Sequence, residues 1–151
     1  MATAQSSMIP QLELLDPTTK PKELSFPLPR AFHTTGHVHL TVMKACTMVH
    51  LATSTPGESS GSFKPMGSFV YAMPDRTSPN QTLSTTLYTT PSSIEYTTRV
   101  AKILARRMQR PVYVGCSIDP NGLGQTVEEE MEGLKYIVDL IMENCNDAKP
   151  E

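Results

Sequence analysis

Long apolar runs are missing from this 151-residue chain. The longest stop far short of the roughly 20 residues a membrane-spanning helix needs. A strong excess of one charge is missing too. The formal net charge is −2, so no global field draws the chain to nucleic acid or to a membrane surface. Cysteines number three, Cys46, Cys116 and Cys145. An odd, widely spaced set excludes a disulfide framework and a zinc knuckle and leaves three reduced thiols. Apolar residues make up only 38 % of the chain and prolines number 13, which points to a smaller core with polar arms or loops. There is no G-x-S-x-G elbow and no repeat of solenoid length. Gly122-Leu123-Gly124-Gln125-Thr126 precedes a helical pattern, but it lacks a phosphate-binding lysine. Glu128, Glu129 and Glu130 follow it and would repel phosphate, so it reads as a turn and a helix cap. The first residues lack a basic stretch followed by an apolar one, so a secretory signal is not expected. The expected compartment is the cytoplasm, with the nucleus open to so small a chain.

What is present centres on Pro91 to Asp119. Ser92, Ser93 and Glu95 have the spacing of a helix-capping box. Ile94, Thr97, Ala101, Leu104 and Met108 then recur at helical spacing as an inward stripe. Glu95, Arg99, Lys102, Arg106 and Arg110 fall on another face. Pro111 ends the helix, because proline lacks the N–H and disfavours helical angles in the residue before it. Val112, Val114, Cys116 and Ile118 then alternate with Tyr113, Gly115 and Ser117 as a strand.

Upstream, residues 1–22 read as a flexible polar arm and residues 23–145 as one domain, with a polar tail over 146–151. Glu23 to Leu28 predicts a short edge strand. His37 to Met43 and Cys46 to Ser54 predict a hairpin about Lys44-Ala45. The serine-, glycine- and proline-rich residues 54–66 predict a mobile loop. Gly67 to Met73 is a strand apolar on both faces, and Thr82 to Tyr88 is a threonine-rich strand. Thr126 to Cys145 is a second helix, its inward stripe Val127, Met131, Leu134, Val138, Ile141 and Cys145, with Thr126 and Glu129 as capping box. The fold class is therefore α+β, a sheet of about six antiparallel strands with two amphipathic helices in the order β-β-β-β-β-α-β-α. Two helices cover one sheet face; a partner chain can cover the remaining apolar surface.

Two constellations stand out. His37, His39 and His50 converge on one sheet face if His50 pairs across from His39, which makes a small metal-dependent enzyme one reading. Solvated sheet-face histidines are the other, since no carboxylate or cysteine nearby orients the rings. The helices also split the charge. Residues 92–110 carry a net of +4 and residues 126–145 a net of −5. These are either ordinary solvated faces or docking surfaces for a protein partner. Nucleic acid fits poorly, because no aromatics interleave with the arginines. A generic homodimeric adaptor is a third reading.

Four pieces together resemble one family. They are the helix pattern Ala101, Leu104, Ala105, Arg106, Arg107 with the following strand PVYVGCS (Pro111 to Ser117); FVYAMPDR (Phe69 to Arg76); TLSTTLY (Thr82 to Tyr88); and the hairpin His37 to Thr53 preceded by LSFPLP (Leu24 to Pro29). In this order and spacing the chain resembles the proteasome assembly chaperone 4 family, as a fungal-type member, over roughly residues 24–145. It departs from animal members in the loop Ser54 to Met66 and in the N-terminal arm. The resemblance implies a six-stranded antiparallel sheet with two helices that dimerises through sheet surfaces. It also implies a non-enzymatic role without a cofactor, in which the chain pairs with the related chaperone 3 and helps to assemble the 20S alpha ring. Arg99, Lys102, Arg106 and Arg110 are the expected partner-binding residues.

Overall fold

A computed structural model of the chain describes residues 20–59, 61 and 63–146. The expected arm, for residues 1–19, and the expected tail, from residue 147, lie outside the described residues, as do residues 60 and 62 of the expected loop. The strands are β1 (Lys22–Pro27), β2 (Thr35–Val42), β3 (Thr47–Ser54), β4 (Ser68–Pro74), β5 (Thr82–Tyr88) and β6 (Val112–Cys116). The helices are α1 (Ile94–Met108), between β5 and β6, and α2 (Val127–Asn146). The element order is the one expected.

All six strands form one sheet in the order β1-β2-β3-β6-β4-β5. The pairings are antiparallel except β3 with β6, which is parallel, so the expected all-antiparallel sheet becomes a mixed one. The reason is the helix. The crossover β5-α1-β6 brings β6 back in the direction of β5, as a helical crossover does. β4 runs against both, so β6 lies on the far side of β4 and meets β3 in parallel. Its position in the middle suits a strand apolar on both sides. Val112, Val114 and Cys116 are fully buried.

One face of the sheet carries the core. Val38, Leu40, Val49, Leu51, Val70 and Val114 point to Val100, Leu104, Ile137 and Ile141 of the helices. Fully burying a side chain such as Leu104 contributes about 1.5–3 kcal/mol. Helix α1 lies on β4, β6 and β5, and α2 packs on α1 and β2. Tyr136 of α2 meets Phe26 of β1 at 5.2 Å between ring centroids. The Lys22 ammonium donates to the Asn144 carbonyl at 3.0 Å.

Two local readings change. Ser93 is the N-cap of α1, but its hydroxyl makes no capping bond. It turns instead to β4, where it accepts the Ser68 N–H at 3.2 Å and lies 2.9 Å from the Ser68 hydroxyl. A buried strand donor outcompetes the helix end for that oxygen. The second capping box forms as expected: Glu129 N–H donates to Thr126 Oγ1 (3.3 Å) and Thr126 N–H to the Glu129 carboxylate (3.0 Å). The stripe of α2 is shorter than its spacing predicts. Leu134, Ile137, Val138 and Ile141 are buried, whereas Val127 and Met131 are 74 % and 46 % exposed.

Candidate protein-interaction surfaces

Strand alternation puts every second residue on the face that no helix covers. In the sequence these are His39 and Thr41 of β2, Met48 and His50 of β3, Tyr113 of β6, and Phe69, Tyr71 and Met73 of β4. All are half-buried rather than buried. A ladder of rings runs across four strands: His39 to His50 at 6.1 Å, His50 to Phe69 at 6.2 Å, Phe69 to Tyr113 at 5.9 Å and Tyr113 to Tyr71 at 4.8 Å. The sequence signal for this surface is the apolar character of both faces of Gly67 to Met73. The aromatic character of the outer face is not singled out by it.

Backbone economy shapes this face. A Cβ on Gly115 would come within 2.6 Å of His50 Nδ1, so glycine lets the imidazole lie over β6. Gly67 has φ +76°, and a Cβ there would stand 2.1 Å from the Cys116 carbonyl oxygen. Only glycine fits where the chain enters β4 against β6. Met66 and Lys64 line a depression of about 450 Å³ in the open face together with His37, His39 and His50.

The histidine constellation is partly assembled. His39 and His50 do face each other in register. His37 is held apart, with one ring nitrogen 2.9 Å from Ser25 Oγ and the other 2.7 Å from Ser54 Oγ. Among the described residues, no group of three or more histidine, cysteine, aspartate or glutamate side chains is placed to hold a metal ion. Burial and then the neighbouring His39 push the His50 pKa below its ordinary value. Cys116 sits in the core, where burial pushes its thiol up to about 12, so it is a packed group rather than a nucleophile.

The four expected partner-binding residues divide into two pairs. Arg99 donates to Glu130 of α2 at 2.9 Å. Arg110 lies beyond the helix and donates to the carbonyls of Met43, Lys44 (3.0 Å) and Cys46 (3.4 Å), fastening the β2–β3 turn. Lys102 and Arg106 are exposed, and their side chains take no hydrogen bond or ion pair among the described residues. Arg107, outside the expected set, bridges to Asp139 at 2.8 Å. Such exposed pairs contribute about 0–1 kcal/mol each, so they align the helices more than they stabilise them. Among the described residues no helix is long and apolar enough to cross a membrane.

Comparison with known proteins agrees with this architecture. The family model of proteasome assembly chaperone 4 matches residues 35–118, from β2 to the end of β6 and just beyond. A chain from the crystal structure of a yeast chaperone complex for 20S proteasome assembly has the same fold, with a TM-score of 0.55 and 20 % sequence identity. The match covers 85 % of this chain and 96 % of that one. A search of curated protein sequences gives no match.

Proposed function

The chain belongs to the proteasome assembly chaperone 4 family, and from that premise we propose that it is a non-enzymatic chaperone subunit for assembly of the 20S proteasome. It pairs with the related chaperone 3 through its open sheet face. It docks on alpha subunits through the basic surface of α1 and acts in the cytoplasm, with access to the nucleus. The observation that carries the pairing is the open face itself. A ring ladder from His39 to Tyr71 stays half-exposed on a sheet whose other face carries the core. Aromatic surface of this kind is typical of the buried centre of protein interfaces. The yeast chain of the same fold was solved in a chaperone complex, which supports a paired state.

Docking on alpha subunits rests on Lys102 and Arg106 first, because Arg99 and Arg110 are also engaged within the fold. Charges of this kind set orientation and encounter rate. The test is the mass of the purified chain mixed with chaperone 3. Wild type should form a one-to-one complex. Tyr71→Asp with Tyr113→Asp should abolish it, while Lys102→Glu with Arg106→Glu should keep it and weaken alpha-subunit capture. A homodimer that ignores chaperone 3, or a heterodimer indifferent to both tyrosines, would refute this reading.

A further inference from the structure

We propose that the outer edge of β5 is a self-association site, on which a second copy of this chain adds its own β5 antiparallel across a two-fold axis at Thr85. This goes beyond the pairing with chaperone 3 and does not rest on it. β5 ends the sheet, and among the described residues no other strand pairs with its outer side. Such an edge presents a row of backbone N–H and C=O groups to any extended strand, and sheets ordinarily blunt it with charge or proline. The opposite edge is blunted in this way, since β1 carries Lys22, Glu23 and Pro27. β5 carries none of these residue types. From Thr77 to Ile94 the sequence holds no lysine, arginine, histidine, aspartate or glutamate. Leu83 to Tyr88 are all exposed, Leu83 by 55 % and Leu87 by 50 %.

The residues of the edge decide which strand fits it. Leu83-Ser84-Thr85-Thr86-Leu87 has the same chemistry read in either direction: leucine, three hydroxyls, leucine. A two-fold contact requires such a sequence, because each residue must suit the position it meets in the copy. With the axis at Thr85, Thr85 meets Thr85, Ser84 meets Thr86 and Leu83 meets Leu87. Hydroxyl pairs and apolar pairs stabilise antiparallel neighbours, and here no like charges meet. The register of β5 on β4 is regular from Thr82 to Thr86, and its one shift lies beyond, opposite Phe69 and Val70. Leu83 and Thr85 stand opposite Met73 and Tyr71, on the open face, while Ser84 and Thr86 stand opposite Ala72 and Val70, on the helix side. The axis is therefore perpendicular to the sheet. It sets two open faces side by side and leaves both uncovered for other partners. Seven residues a side, against the roughly 20–30 of a standard interface, make a weak contact that forms at high concentration.

Sedimentation equilibrium of the full chain without chaperone 3, from about 5 to about 500 µM, tests this. A monomer–dimer equilibrium is expected. Thr85→Lys and Thr85→Glu each set like charges against each other at the axis and should weaken the dimer about tenfold. An equimolar mixture of the two variants should restore it, because opposite charges then meet. Thr85→Ser keeps the hydroxyl and should dimerise like wild type. Thr85 is exposed, so all three variants should keep the far-ultraviolet circular dichroism of wild type. Tyr71→Asp with Tyr113→Asp should leave the dimer intact. A chain that stays monomeric throughout overturns the proposal, as it would if the chain's own first residues filled the edge. So does a dimer indifferent to Thr85→Lys, or a mixture of the charged variants that associates no better than either alone. A dimer that the two tyrosine substitutions dissociate overturns it as well, since the open face would then be the contact.

Discussion

Ser93→Ala tests the packing that joins α1 to the sheet. Ser93 is 1 % exposed and Ser68 fully buried. The Ser93 oxygen accepts the Ser68 N–H, and the Ser68 hydroxyl in turn takes the Thr90 N–H at 2.9 Å and donates to the Thr90 carbonyl at 3.1 Å. Ser68 is also paired with Cys116 in the β4–β6 ladder, so removing the Ser93 hydroxyl breaks a buried serine–serine contact and a shared bond to the Ser68 N–H, which costs about 0.5–1.5 kcal/mol. Near the melting point each kcal/mol moves a domain of this size by about 4 °C, so the loss is about 2–6 °C. Ser92 is exposed and one residue earlier. Ser92→Ala should stay within about 0.5 kcal/mol of wild type. Thermal and urea unfolding of both variants decide the matter, and a double cycle with Ser68→Ala should show coupling of at least about 0.5 kcal/mol. A Ser93→Ala protein as stable as wild type, or a Ser92→Ala protein that is less stable than Ser93→Ala, would refute the reasoning.

Two further outcomes follow from titrating groups. His50 has its folded pKa depressed by burial and by His39. It therefore binds its proton more readily in the unfolded chain, and stability present above the unfolded pKa of about 6.5 is lost as pH falls toward the folded value. Melting temperature should drop between pH 7 and pH 5, and His50→Gln should flatten that slope; an unchanged slope would exclude His50 as its source. Cys116, with its thiol raised to about 12 by burial, should resist iodoacetamide at pH 8 in the folded chain and react in urea. Peptide mass mapping reads this directly, and alkylation of native Cys116 at the rate of a free thiol would contradict the packing.

The elements were largely legible because their signals are local. Hydrophobic period and the helix-ending Pro111 need no knowledge of neighbours. The hairpin register, and with it His39 opposite His50, followed from the short turn between β2 and β3. What was not legible depends on distant partners. Nothing in Val112 to Cys116 says that the strand enters between β3 and β4 and runs parallel to one of them. Ser93 has the spacing of a cap, yet Ser68 claims its hydroxyl from across the fold. Val127 and Met131 keep helical period, but only the structure shows that the layer beneath α2 ends before them. Arg99 and Arg110 look like free surface charge until Glu130 and the β2–β3 turn are placed beside them.

The central place of β6 also has a consequence in time. β3 and β4 do not pair with each other; β6 alone bridges the sheet's two halves. As the chain leaves the ribosome, β1–β2–β3 and β4–β5 are complete while each still has a bare inner edge. They can join only when Val112 to Cys116 emerges, after all five other strands and α1. Closing such distant pairings late makes folding slow and leaves the nascent chain open to mispairing. A member of an assembly-chaperone family thus keeps two open strand edges of its own until late in its synthesis.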